Sequence, residues 1–159
     1  MQIDEARLNL TQVLHALVID YWHDVDRNWG RKAPDYYTED AIFEGSAVTY
    51  EGREKIRAFY AWREGRGDRT VVHSVINFQA FFDGGPDKAT CHWFLMLYAA
   101  DGKPILPTHP PIQIAYMTDR LIKTDQGWKL TFRKFDPLFQ GGTPNVVMRT
   151  GSARASRVA

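Results

Sequence analysis

Apolar and polar residues alternate with the period of an α-helix over the first part of the chain. Between residues 4 and 28, apolar side chains recur at three- and four-residue spacing, which places them on one stripe of a helix that stops at Gly30. A short helix from Ala33 to about Asp40 is predicted next, followed by two short strands and a second amphipathic helix. Their expected ranges are Ala41–Glu44, Ser46–Tyr50 and Arg53–Arg63, in that order.

From Arg69 onward the apolar positions alternate at every second residue, which is typical of β-strands. Consecutive hairpin-type turns between the strands indicate an antiparallel meander. Helices followed by such a sheet predict an α+β domain. Four long strands are expected, separated by turn sequences rich in Asp and Gly: Thr70–Phe82, Lys88–Ala100, Ile112–Thr124 and Trp128–Asp136.

The predicted single domain covers residues 1–140, because the composition changes after that point. Residues 141–159 are dominated by Gly, Ser, Arg and small side chains, so we expect a mobile tail or an arm that contacts a partner subunit. The N-terminus lacks the apolar region of a signal peptide, and no run of about 18 apolar residues occurs. We therefore expect no membrane partner.

Composition narrows the classes of function that the chain can have. Of its 159 residues, 13% are aromatic, which excludes disorder of the whole chain and requires a core or a pocket to absorb the rings. The net charge of +1 argues against a nucleic-acid partner. Cys91 is the single cysteine, so no disulfide can form within the chain and a reducing cytoplasm is the expected location.

Four stretches of the chain, in this order, resemble the SnoaL-like branch of the nuclear transport factor two-like superfamily. They are Tyr21-x-x-x-x-Asp26-x-x-Trp29, Tyr36–Phe43, Tyr50–Ile56, and Gly127–Leu130 with Arg133. The resemblance covers roughly residues 5–140. It implies a cone-shaped, curved antiparallel β-sheet wrapped around a long N-terminal helix, with two shorter helices and a deep apolar pocket.

Within that superfamily, the stretch Arg69–Asn77 is most similar to the group of scytalone dehydratase, lindane dehydrochlorinase and bile-acid dehydratase. This likeness implies a catalytic His73 at the start of the long strand, oriented by Asp26 at the end of the first helix, with Tyr21 as a pocket tyrosine. The chain also departs from the group. Tyr98 stands where scytalone dehydratase has a second pocket histidine, and the lysine of the lindane enzyme has no evident match.

A histidine held by a carboxylate suits the removal of a proton from carbon, because the acid fixes the tautomer and stabilises the imidazolium that forms. A tyrosine or an arginine in a dry aromatic pocket suits the stabilisation of a developing oxyanion or a leaving group. The candidate catalytic residues are therefore His73, Asp26, Tyr21 and Arg133.

Each candidate also has a structural interpretation. His73 is as easily a structural strand histidine, Asp24 competes with Asp26 as its partner, and Tyr21 lies on the apolar stripe and is as easily a core residue. Arg133 fits a pairing with an acid, with a substrate oxygen or with another subunit. The aromatic residues expected to bind substrate are Tyr50, Trp29, Tyr98, Phe59 and Trp93.

The sequence thus predicts a cofactor-independent, dehydratase-like lyase or isomerase that acts on a small hydrophobic, oxygenated or ring compound. The alternative is a non-catalytic small-molecule-binding or accessory subunit, like the beta chain of a ring-hydroxylating dioxygenase. No cofactor is expected, and no metal site, because the histidines lack metal-ligand spacing. A homodimer or homotrimer is expected through the outward apolar residues of the long strands: Val72, Ile76, Phe78, Phe94 and Met96.

Overall fold

A curved, open β-sheet packs against the long N-terminal helix in the computed structural model, which describes residues 4–141 and the backbone of Ser152–Ala153. The elements in chain order are α1 (Glu5–Arg27), a 3-10 helix (Ala33–Tyr36), β1 (Tyr37–Glu44), β2 (Val48–Glu51), α2 (Arg53–Glu64), β3 (Arg69–Phe82), β4 (Lys88–Asp101), β5 (Gln113–Thr124), β6 (Gly127–Gln140) and β7 (Ser152–Ala153). The strand order is β3-β4-β5-β6-β1-β2-β7. The predicted α+β cone with one long and two shorter helices is confirmed.

Strands β3 to β6 form the predicted antiparallel meander. The expectation of an antiparallel sheet throughout is wrong at one point, because β1 pairs with β6 in parallel. The helix expected to run to Asp40 is also too long. It ends at Tyr36, because Tyr37 already pairs with Leu130 of β6 and is fully buried.

Helix α1 forms where its sequence supplies both a cap and a buried stripe. The Asp4 side chain accepts a hydrogen bond from the backbone N–H of Ala6 at 3.2 Å, which satisfies one of the free donors of the first turn. The buried positions are Leu10, Leu14, Val18, Tyr21, Trp22, Asp24 and Val25. Over the described residues, no helix has both the length and the apolar content needed to span a bilayer.

A β-bulge in β3 changes which side chains face the helix. The pairing with β4 shifts register between Ile76 and Gln79, and Asn77 adopts a φ of 53°. This bulge turns Phe78 toward α1, where its ring stacks on His15 at 5.0 Å. The prediction that Phe78 lies on the outer face is therefore wrong.

The outer face of the sheet keeps the other apolar residues expected there. Val72 and Ile76 are 42% and 38% exposed, and Phe94 and Met96 are half-buried. Self-association through this face stays a prediction. The expected tail lies largely outside the described residues, apart from β7, whose backbone pairs antiparallel with β2.

Gly30 has no room for a side chain at the point where the chain leaves α1. Its φ is +74°, and a Cβ atom would lie 2.3 Å from a ring carbon of Tyr60. Both the left-handed backbone and the ring oppose any larger residue. We expect Gly30→Ala to lower the free energy of unfolding by about 2–4 kcal/mol, measured by urea denaturation.

Gly84→Ala is the matched control for this prediction. Gly84 has a φ of +76°, and a Cβ atom there would meet nothing within 4 Å. Its replacement introduces the backbone strain alone, at about 1–2 kcal/mol. Equal losses for the two variants would contradict a steric role for the Tyr60 ring.

Candidate functional site

A pocket of about 550 Å³ opens between the end of α1, the inner side of α2 and the first half of β3. The C-terminal end of β4 and the loop that follows it close the opposite side. Ten large aromatic and aliphatic side chains line the pocket: Trp22, Val25, Trp29, Phe43, Tyr50, Phe59, Tyr60, Val71, Leu97 and Phe135. The cavity has the size and apolar character of a small-molecule site.

His73 and Asp26 meet in the wall of this pocket. The Asp26 carboxylate accepts one hydrogen bond from His73 Nδ1 at 2.5 Å and another from the His73 backbone N–H at 2.8 Å. Because an ionised carboxylate can only accept, the proton of the neutral ring lies on Nδ1. Nε2 then carries the free lone pair, and among residues 4–141 no hydrogen-bond partner of Nε2 is present.

The His73 ring is fixed on one face by Trp22. The two rings stack with their centroids 4.1 Å apart and their planes 15° from parallel. The His73 side chain is only 6% exposed. Burial lowers the pKa of His73 below its ordinary 6.5, and the hydrogen bond that His73 donates to Asp26 opposes this only in part. The imidazole is therefore neutral at neutral pH, and Nε2 is free to accept a proton.

Asp24 has a separate structural task. Its carboxylate accepts hydrogen bonds from Asn28 Nδ2 at 2.6 Å and from the backbone N–H of Lys32 at 2.9 Å. Its own carbonyl accepts from Asn28 and Gly30. The structure therefore resolves the choice between the two acids. Asp24 orders the turn after α1, and Asp26 is the partner of His73.

Tyr21 lies outside the pocket wall, in a buried cluster of tyrosines. Its hydroxyl is hydrogen-bonded to that of Tyr37 at 3.1 Å and to that of Tyr60 at a short distance. Burial raises the pKa of Tyr37 and of Tyr60 well above the ordinary value. Tyr60 reaches the pocket, but its hydroxyl is bonded to Tyr21 on the inner side.

Arg133 is also absent from the pocket wall, because it is fully buried beneath α1. Its guanidinium binds both carboxylate oxygens of Asp119 at 2.7 Å, and Trp93 Nε1 donates to the same carboxylate at 3.0 Å. Burial alone would lower the pKa of Arg133, but Asp119 outweighs it and the pKa is raised well above its ordinary value. The guanidinium also lies over the rings of Tyr21 and Trp22, at 4.4 Å and 5.2 Å from their centroids.

The aromatic residues expected to bind substrate divide into two groups. Trp29, Tyr50 and Phe59 line the pocket. Trp93 lies deeper in the core, and Tyr98 points to the outer face of the sheet, where its ring lies 6.3 Å from that of His109.

Asp119 and Arg63 were not among the site residues predicted from the sequence. Asp119 occupies an inward position of β5, because it falls in the same alternating series as the buried residues Met117 and Leu121. An acid within such an apolar series is a sequence signal for a buried charge that needs a partner. Arg63 carries no comparable signal in the sequence. Over residues 4–141, no group of three His, Cys, Asp or Glu side chains is arranged to hold a metal ion.

Comparisons with known proteins agree with this architecture. Residues 5–134 match the family model of the SnoaL-like domain. No curated protein sequence matches the chain.

Several solved structures share the fold. A proposed scytalone dehydratase from Novosphingobium aromaticivorans is 16% identical, with a TM-score of 0.74 over 97% of this chain and 99% of the other. A proposed aromatic ring hydroxylase from the same organism is 22% identical, with a TM-score of 0.68 over 87% and 93%. A nuclear transport factor two-like protein with a cystatin-like fold, also from that organism, is 17% identical, with a TM-score of 0.65 over 83% and 84%.

Proposed function

The chain belongs to the SnoaL-like domain family, and from this membership we propose that it is a cofactor-independent lyase or isomerase that binds a small hydrophobic, oxygenated or ring compound. The observation that carries the proposal is the His73–Asp26 pair in the wall of an apolar pocket. An apolar, aromatic-lined pocket favours a small hydrophobic ligand, and the pair supplies a base beside it. The names of two fold neighbours, a proposed dehydratase and a proposed ring hydroxylase, are compatible with ring chemistry.

The proposed reaction begins with the transfer of a carbon-bound proton to His73 Nε2. The C–H electron pair forms a carbon–carbon double bond to the adjacent carbonyl carbon, and the π electrons of the carbonyl move to its oxygen. The product is an enolate oxyanion. A leaving hydroxide on the β-carbon is then expelled as the double bond forms, with a proton returned from the imidazolium to give water. Return of that proton to another carbon would instead give an isomer. Asp26 keeps Nδ1 protonated and stabilises the imidazolium in both cases.

In this proposal Tyr21 and Arg133 are positioning residues. Arg133 lies over Trp22, and Trp22 stacks on His73. Tyr21 contacts Trp22 edge to face, with centroids 4.8 Å apart. Both residues therefore support the ring that fixes the plane of the base, rather than donating a proton to substrate.

The test is proton exchange at carbon with 2-tetralone, a bicyclic ketone that fits a pocket of this size. We expect the protein to accelerate deuterium incorporation from D₂O next to the carbonyl, measured by ¹H NMR against a buffer blank. Because burial lowers the pKa of His73, the neutral base persists down to its lowered pKa. The rate is therefore expected to be level near pH 8 and to reach half of that level only below about pH 6.5.

A rate that already halves at or above the ordinary histidine pKa of about 6.5 would contradict a buried base. Absence of any acceleration with 2-tetralone, together with tight binding of that ketone, would favour the non-catalytic alternative. Circular dichroism across the same pH range separates loss of the base from loss of the fold.

A further inference from the structure

The pocket wall carries an excess of positive charge. Its basic residues are Arg27, Arg63, Arg66, Arg69 and Lys103, and its acidic residues are Asp26, Asp68 and Asp101. The proposed base chemistry uses the negative charge of Asp26 alone. The remaining charges are thus unexplained by the proposed function.

Each acid in the wall already has a partner. Asp26 is bonded to His73, Asp101 pairs with Arg69 at 2.6 Å, and Asp68 pairs with Lys103 at 3.6 Å. Within residues 4–141, the other three cations have no carboxylate in ion-pair distance. These three cations are Arg27, Arg63 and Arg66, and we call them the arginine rim.

Arg63 is the half-buried member of the arginine rim, whereas Arg27 and Arg66 are exposed. Arg63 lies in the last turn of α2, with its guanidinium carbon 5.8 Å from the centroid of Phe59 and 5.7 Å from that of Tyr60. Both rings line the pocket. Its charge is also felt at His73, where it lowers the pKa. Cation–π contact uses the faces of the guanidinium and leaves its in-plane N–H donors for a ligand.

Unpaired guanidinium groups at the wall of an apolar cavity favour a bound anion, because low-dielectric walls strengthen the field and guanidinium N–H groups match the oxygens of an oxyanion. We propose that the substrate class carries an oxyanionic group, a carboxylate or a phosphate, which Arg63 binds with the help of Arg27 and Arg66 while the apolar part occupies the aromatic wall. This inference rests on the proposed function, since it names the substrate class of the same pocket.

Two fluorescent probes test the arginine rim without any knowledge of the substrate. 1-Anilinonaphthalene-8-sulfonate and N-phenyl-1-naphthylamine share one ring system, and only the first carries an oxyanion. We expect Arg63→Gln to weaken binding of the sulfonate probe roughly 10-fold or more, and binding of the neutral probe less than about two-fold. Mutual displacement of the probes on the wild-type protein shows that both occupy one pocket.

Arg57→Gln is the matched control, because Arg57 lies on the same helix, outside the pocket wall, and is paired with Asp35 and Glu54. It is expected to leave both affinities unchanged. Equal weakening of both probes by Arg63→Gln, or weakening of neither, overturns the inference. Binding of the neutral probe alone overturns it as well and leaves the proposed apolar pocket intact.

Three naphthalene compounds then distinguish the two sources of the oxyanion. 2-Naphthoate, 2-naphthyl phosphate and neutral 2-naphthol compete for the bound neutral probe. Stronger displacement by the carboxylate or by the phosphate than by the naphthol supports the inference and identifies the group. Equal displacement by all three overturns it. Stronger displacement by an anion than by the naphthol, together with no catalysed deuterium exchange into 2-tetralone, would overturn the proposed catalysis. The same result would still support the anion site.

Discussion

Replacing His73 with glutamine is expected to lower the rate of catalysed deuterium exchange into 2-tetralone by roughly 10²–10⁴-fold. Glutamine fills a similar space beside Trp22 but has no lone pair of suitable basicity to accept a proton from carbon. Binding of N-phenyl-1-naphthylamine should change little, because the apolar wall remains. The measurements are initial exchange rates by ¹H NMR and probe affinities by fluorescence titration.

Asp26→Asn is expected to lower the same rate by a different route. An asparagine in this place can still accept from the His73 backbone N–H, but its amide group can donate to Nδ1. The ring proton would then move to Nε2, and the nitrogen facing the substrate would lose its lone pair. A large loss of rate with an unchanged melting temperature would therefore identify tautomer control by Asp26.

Controls separate the chemistry from the fold. His23→Gln and Asp20→Asn replace an exposed histidine and an exposed aspartate of α1 and should leave the exchange rate unchanged. Exchange by the His73→Ala variant should recover in part when imidazole is added, which a purely structural role for His73 would not produce. A His73→Gln variant that is folded and fully active would remove the basis for the proposed mechanism.

The order of elements followed from the periodicity of the sequence, but the positions of individual side chains depended on local irregularities that periodicity does not reveal. The bulge at Asn77 turns Phe78 from the outer face to the helix side. In the same way, β5 and β6 shift register between Arg120 and Leu121, with Thr131 as the extra residue. This second bulge lets both Leu130 and Arg133 point inward.

The pairing of His73 with Asp26 could be predicted because the family resemblance fixed one residue at a helix end and the other at a strand start. The same reasoning placed Trp29, Tyr50 and Phe59 on the wall. It was wrong for Tyr98 and Trp93. Neighbouring residues of a strand point to opposite faces of the sheet, which places Tyr98 on the outer face. Inward residues also differ in depth, which places Trp93 in the core. The sequence offered no partner for Arg133, since Asp119 reaches it only across paired strands.

Removal of one partner of the Arg133–Asp119 pair is expected to cost more stability than the loss of any other polar contact of the core. Both side chains have 0% exposure, so removal of either partner leaves an uncompensated charge in a medium that solvates it poorly. We expect Asp119→Ala to lower the free energy of unfolding by about 3–5 kcal/mol, measured by urea denaturation. Loss of the acceptor for Trp93 Nε1 adds to the same effect.

The partly exposed pair Lys134–Asp136 on the same strand supplies the matched control. Its side chains are 33% and 42% exposed with the charged atoms 3.0 Å apart, and Asp136→Ala should cost less than about 1 kcal/mol. Replacing both buried partners, as Arg133→Met with Asp119→Leu, should recover much of the stability that Asp119→Ala loses, because no buried charge then remains. A double variant as unstable as Asp119→Ala would show that packing around Trp22 and Trp93, rather than the unpaired charge, determines the loss.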